Sequence, residues 1–320
     1  MTTVSPRRRA VLLMGPTGAG KSALAVELAR RLPFEIVSVD SALVYRGMDI
    51  GTAKPDAELR RGVAHHLIDI REPEMSYSAG EFVIDAVAAM EDIWRRERVP
   101  LFVGGTMLYF HALSAGIADL PGGNLAIRAE IDARAAAVGW DTLHRELAIV
   151  DPEAAAHIHG NDSQRIQRAL EVHKITGSPI SVLQRARESV LNGVDVLEIA
   201  AAPAERTVLH ARIEVRFREM LEAGLVAEVA ALRKRIDLSA EHPSMRAVGY
   251  RQIWRYLAGQ CELSAAVDQS IVATRQLAKR QFTWLRARQQ AKWIDSVQPD
   301  AISSIIRMLT EDGITEWLQV

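Results

Sequence analysis

Several things are scarce in this sequence, and each shortage excludes something. There is one cysteine, Cys261, so neither an internal disulfide nor a thiolate cluster for zinc can form, and a reducing cytoplasm is the expected compartment. Cys261 falls in an expected loop with nothing to mark it as a reactive thiol. No stretch approaches the roughly 18 consecutive apolar residues of a membrane span. The arginines ahead of Ala10–Met14 imitate a secretory leader, but those five apolar residues before Gly15 fall short of the roughly 7–15 that a leader needs. Neither export nor a membrane is expected. Net charge is also scarce, at −1, yet it is unevenly spread. From Ser244 to Lys292 there are nine Lys or Arg against only Glu262 and Asp268. Such an excess suits a polyanion partner, and a solvated helix face explains it equally well.

What is present is ordinary globular material: 320 residues, 48% hydrophobic and 25% charged, enough for two domains. Short apolar runs, "RAVLLMG", "FEIVSVD" (34–40), "VPLFVGG" (99–105), "VDVLEIAA" (194–201) and "AKWIDS" (291–296), read as strands. Helical periodicity follows the first of them and returns at 78–97 and 205–235. Strands alternating with helices predict an α/β fold, a P-loop NTPase-like parallel sheet flanked by helices. Between 119 and 192 the periodicity is helical throughout, so an all-helical insertion domain is expected within a discontinuous core of residues 1–118 and 193–320. Asn161 with Gln164 reads as a capping box in that insertion, and Gly177 with Pro179 as the following stop.

The chemistry begins at Gly15, Pro16, Thr17, Gly18, Ala19, Gly20, Lys21 and Ser22, which fit G-x-x-x-x-G-K-[ST] between a strand and a helix. Glycines let the backbone wrap a phosphate, helix-start amides point at it, Lys21 adds charge, and the Ser22 hydroxyl can ligate magnesium (Mg2+). A nucleotide hydrolase also needs an acid ending a nearby strand. Here the strand at 99–103 runs into Gly104, Gly105 and Thr106 instead, and the strand that ends in a carboxylate is the second, at Asp40. ATP hydrolysis is therefore not expected.

The stretches "MGPTGAGKS", "SVDSALVYRGMDIGTAKP", "HHLIDI", "VGGTMLYF", "RAVGYRQIW" and "ATRQLAKRQFTWLR" resemble the tRNA dimethylallyltransferases, the tRNA isopentenyl transferase family, in that family's order from residue 14 to residue 286. The resemblance implies transfer of a dimethylallyl group from dimethylallyl diphosphate to the exocyclic amine of adenosine 37, 3′ of the tRNA anticodon, giving isopentenyladenosine. The P-loop then holds the prenyl diphosphate, and the diphosphate is a leaving group. An adenine amine is a weak nucleophile, so a base is needed, and Asp40 is the candidate; capping the following turn is its bland alternative. Thr106 can approach the amine or cap the next helix, or both. The resemblance promotes Arg216 as a partner of the diphosphate, although the sequence alone does not separate it from Arg212 or Arg218.

By the same resemblance, tRNA contacts fall on Asp40, Ser41, Ala42, Leu43 and Thr106, and in the insertion on Gln164, Arg165, Ile166, Gln167 and Arg168. Two further runs are Arg246, Ala247, Val248, Gly249, Tyr250 and Arg251, and Lys279, Arg280, Gln281, Phe282, Thr283, Trp284, Leu285 and Arg286. A contact at Arg128 is implied too, but "LPGGNLAIR" lacks the acid usual just before that arginine. The partners expected are the anticodon stem-loop, splayed for base recognition, and dimethylallyl diphosphate, with the chain a monomer. His65-His66 point to opposite faces of a strand and are not expected to bind metal. Trp254, Trp284 and Trp293 are expected in packing rather than as stacking platforms. Two other readings stay open: a small-molecule kinase, which leaves the basic block idle, and an RNA-binding module without chemistry, which gives Asp40 and Thr106 no work.

Overall fold

A computed structural model describes residues 8–118, 120–185 and 188–312; Asp119, where the insertion is expected to begin, lies outside the described residues. The chain divides into two compact units, one of residues up to Leu113 together with those from Leu191 onward, the other Ser114–Val190.

The first unit is built on six parallel strands, β1 (Arg9–Met14), β2 (Phe34–Val39), β3 (His65–His66), β4 (Val99–Gly104), β5 (Asp195–Ala202) and β6 (Lys292–Asp295), in the order β3-β2-β4-β1-β5-β6. Every residue of β1 and β2 is buried, as continuous apolar runs require when both faces of a sheet are covered. On one face α1 (Lys21–Arg31) and a helix near the described C-terminus (Ala301–Glu311) share a cluster that includes Leu24, Leu28, Ile305 and Leu309. A helix at Ala79–Arg95 packs against β2 and β4, started by a capping box of Ser78 and Glu81. His65 and His66 do face apart: His65 hydrogen-bonds the Val63 carbonyl, and His66 the buried Glu35.

The helix expected over 205–235 is two, Arg206–Glu222 and Leu225–Leu232, because Gly224 takes a left-handed conformation with φ 103° and ends the first. With helices at Tyr250–Leu257 and Leu263–Arg286 these complete a helical layer in which Arg206–Glu222 packs on Leu263–Arg286. Among the described residues no helix is long and apolar enough to cross a membrane.

The second unit is all helical: Leu125–Val138, Trp140–Val150, Pro152–His157, Ser163–Thr176 and Ile180–Leu183. The helix at Ser163 is capped by Asp162, whose carboxylate accepts from the Arg165 amide, and not by the expected Asn161–Gln164 box. An acid at that position also complements the helix dipole. The unit's charged centre is Glu171, fully buried, which accepts from the Asn124 amide at 2.7 Å, Arg128 Nε at 2.8 Å and Arg168 at 2.7 Å. These donors outweigh the opposing effect of burial and hold the Glu171 carboxyl below its ordinary range. Its folded value lies below its unfolded one, so its contribution is present above the unfolded carboxyl range and lost as pH falls through the folded value. Glu171→Ala should cost roughly 3 kcal/mol, the lower end for breaking a buried pair, since Arg128 keeps some access to water. Urea unfolding at neutral pH checks this; a loss under about 1 kcal/mol would mean the cluster is not holding the unit together.

Candidate active site

The phosphate loop occupies the turn from β1 into α1. Gly20 caps α1 in the left-handed region with φ 86°, makes no side-chain cap, and is followed by a first turn without acids. The helix therefore starts with bare amides, an anion site by construction. Lys21 reaches back so that Nζ donates to the Pro16 carbonyl at 2.7 Å. Burial pulls the Lys21 ammonium down to about 7; Asp40 opposes the shift and Arg216 adds to it. Burial likewise lowers Arg216, whose Nε is buried with no hydrogen-bond partner among the described residues and whose guanidinium makes a long contact, 3.4 Å, to the Thr52 carbonyl. Two cations short of partners beside the amides that open α1 make a setting suited to a strongly charged anion.

That site is one chamber, of about 550 Å³, in a crevice at the carboxyl ends of the strands, where open α/β sheets bind ligands. Neither strand flanking β1 ends in an acid: β4 runs out through Gly104 and Gly105, and β5 through Ala202 and Pro203. A second chamber of about 400 Å³ opens beside it, with an apolar wall of Met107, Leu108, Ile213, Phe217, Met220 and Leu277. Asp40, Arg216, Thr17 and Gln281 border both. Asp40 Oδ1 accepts from the amides of Ala42 at 2.8 Å and Leu43 at 3.4 Å, so the carboxylate caps its own turn while lining the two chambers. The Thr106 hydroxyl accepts from the Ser41 amide at 3.0 Å, which ties the end of β4 to the turn after Asp40.

The structure separates the three arginines that the sequence could not. Arg212 and Arg216, one turn apart, face the phosphate chamber, with Arg212 Nε donating to the Gly18 carbonyl at 3.0 Å. Arg218 instead pairs with Glu214. The run 279–286 is divided by its helix in the same way. Arg280, Gln281 and Trp284 line the second chamber, whereas Lys279, Phe282, Thr283 and Arg286 line a separate cleft against the start of the Arg206 helix. Leu285 is buried. Ala247, Val248 and Tyr250 border the second chamber, with Arg246 and Arg251 exposed nearby in sequence. In the helical unit Gln164 and Arg165 are exposed and Ile166 is core. Gln167 bonds Asp132 at 2.6 Å, and Arg128 and Arg168 are both committed to Glu171. Trp284, expected in packing, is 40% exposed at the second chamber, edge-on to His111, and Trp293 is 44% exposed, stacked on Phe282. Trp254 lies under Arg233.

Sequence reasoning missed Glu228. Its carboxylate accepts from the amides of Asp49 at 2.9 Å, Ile50 at 2.7 Å and Gly51 at 3.2 Å, and from the buried Tyr250 hydroxyl at 2.5 Å. It fixes the loop that brings Gly51 and Thr52 to the crevice. No local signal marks it, because its partners lie up to 179 residues away. For metal, no group of three His, Cys, Asp or Glu among the described residues could hold an ion. The Ser22 hydroxyl, exposed at the second position of α1, lines the phosphate chamber. One protein hydroxyl suits magnesium, which keeps its waters and takes phosphate oxygens from a ligand.

A P-loop turn between β1 and α1, opening on a two-chambered crevice at the carboxyl ends of a parallel sheet, defines a P-loop α/β protein. Residues 43–288 match the sequence model of the IPP transferase family. The tRNA dimethylallyltransferases of Ralstonia pickettii (strain 12J) and Ralstonia nicotianae are each 53% identical over 308 residues, 94% of this chain and 94% and 95% of theirs. Among solved structures, the full-length tRNA isopentenylpyrophosphate transferase of Bacillus halodurans is 38% identical with a TM-score of 0.67, over 97% of this chain and 99% of that one. A eukaryotic dimethylallyltransferase acting on tRNA is 25% identical with a TM-score of 0.80, over 97% of this chain and 80% of that one. The chain belongs to the IPP transferase family, and it is a prenyl transferase.

If the chamber takes a diphosphate, Lys21 makes that binding pH-dependent. An anion in the chamber raises its pKa from about 7, so binding near pH 8 takes up ~1 proton that the free protein lacks, and near pH 6 takes up almost none on its account. Affinity for inorganic diphosphate should accordingly fall as pH rises above 7. Calorimetry in buffers of different ionisation heat measures the uptake, with Lys21→Met as the reference because diphosphate itself titrates. Equal uptake by both proteins at pH 8 would show that Lys21 is charged before the ligand arrives.

Proposed function

We propose that this chain transfers a dimethylallyl group from dimethylallyl diphosphate to the exocyclic amine of adenosine 37, 3′ of the tRNA anticodon, in the cytoplasm and as a monomer. The observation that carries this reading is that Asp40 borders both chambers, one built for an anion and one walled by apolar side chains. A prenyl diphosphate has those two ends. The diphosphate sits on the amides of Gly18–Ser22 with Lys21 and Arg216, and the five-carbon group reaches past Ile213 and Phe217 towards the second chamber.

The adenine must leave the anticodon stack to present its amine there, at a cost of a few kcal/mol. Asp40 accepts the amine proton as the new C–N bond forms and the allylic C–O bond breaks. Diphosphate departs with the bonding pair, its charge met by Lys21, Arg216 and the loop amides. The Ser22 hydroxyl would hold magnesium, which when bound would add positive charge at the leaving group. Thr106, fixed by Ser41 beside Asp40, borders the same chamber and is placed to orient the amine. Support for the RNA surface comes from Arg280 and Trp284, a cation and an aromatic at the second chamber, a pairing that suits phosphate and a splayed base.

A kinase reading would have Asp40 activate a hydroxyl, but it leaves the apolar chamber without a ligand. Asp40→Asn keeps the size of the side chain and removes its basicity. Single-turnover transfer of a labelled prenyl group into tRNA should fall by roughly 10²–10⁴-fold while tRNA affinity changes far less. A rate within about threefold of the original protein would remove Asp40 from the proton transfer.

A further inference from the structure

Gln281 lies among residues that face RNA on the reading above, yet it is 7% exposed and both ends of its amide are used inside the protein. Its Oε1 accepts from the Thr17 amide in the phosphate loop at 2.8 Å, and its Nε2 donates to the Gly105 carbonyl at the end of β4, also at 2.8 Å. The fit leaves no slack. A Cβ on Gly105 would stand 2.4 Å from Nε2 and 3.3 Å from the Gly15 carbonyl. Gln281 projects from the helix Leu263–Arg286, and on the same face Leu277, Arg280 and Trp284 border the second chamber. One side chain thus joins the element that walls the acceptor side to the loop that grips the donor and to the strand end that carries Thr106.

We propose that Gln281 is a positioning residue that couples the two substrates: RNA seated against Arg280 and Trp284 sets the place of the Leu263–Arg286 helix, and Gln281 passes that placement to Thr17 and Gly105. This rests on the activity proposed above. A long helix moves as a rigid body, and two short hydrogen bonds to backbone follow it without a change of register. Thr17, Gly105 and Gln281 all border the crevice, but the two bonds run from Gln281 to backbone and leave the Lys21 and Arg216 cations and the helix-start amides untouched, so losing them leaves diphosphate its charged contacts.

The test measures inorganic diphosphate binding by calorimetry with and without an anticodon stem-loop RNA, in the original protein, Gln281→Met and Gln281→Glu. In the original protein the RNA should change diphosphate affinity by ~5-fold or more. In Gln281→Met, diphosphate affinity without RNA should stay within about threefold while the effect of RNA falls to near none, and kcat should fall with little change in KM. Gln281→Glu keeps the acceptor for Thr17 and loses the donor to Gly105, so it should retain part of the coupling. Should Gln281→Met melt early and bind nothing, Gln281→Glu decides. Unchanged coupling in the folded variants, or none in the original protein, would overturn the role of Gln281. An original protein that binds no diphosphate, with or without RNA, would overturn the proposed activity itself.

Discussion

Lys21 and Arg216 are held beside the amides that open α1, and the charge of Asp40 acts on both. Two half-buried positive groups repel one another and lose hydration, a cost that lowers both from their ordinary pKa. The fold bears it through parts that have little else to do. The all-buried strands β1 and β2 place the loop and Asp40 at one level, and the Arg206–Glu222 helix presents Arg212 and Arg216 one turn apart. A multiply charged anion entering there would relieve that repulsion.

Two side chains far from the loop in sequence keep the crevice in shape. Glu228 gathers three consecutive amides and the Tyr250 hydroxyl, fixing the loop that carries Thr52, whose carbonyl Arg216 touches. Gln281 does for the phosphate loop what Glu228 does for that second loop. In both cases backbone amides are satisfied by a side chain from the helical layer, so the geometry of the crevice depends on helices that follow β5 as well as on the sheet.

Much of this was legible where the signal is local. Gly15–Ser22 announces a strand–loop–helix phosphate site by spacing alone, and Asp40 stands out as the carboxylate that ends an apolar strand. The alternation of strands and helices was enough for a parallel sheet. What could not be read depends on which face of a helix meets which neighbour. Arg216 and Arg218 look alike in sequence, yet one lines the crevice and the other pairs with Glu214. Lys279 and Arg280 are adjacent and serve different clefts. Glu228 stands in no motif, and Gln281, although inside the stretch 273–286, gives no sign of its partner in the phosphate loop; those partners are 179 and 264 residues distant. The Gly224 break and the Asp162 cap were missed for a smaller reason: periodicity sees a helical face and is blind to a single residue that ends it.

The central claim is that the loop grips the diphosphate of a prenyl donor for transfer to RNA. It is tested most directly by incubating the protein with dimethylallyl diphosphate labelled in the prenyl group and with unmodified tRNA, digesting the RNA, and locating the label by mass spectrometry. The expected result is label on the exocyclic amine of the adenosine 3′ of the anticodon, with diphosphate released and ATP neither required nor consumed. Label on no nucleoside, together with phosphoryl transfer from ATP to an acceptor, would contradict it.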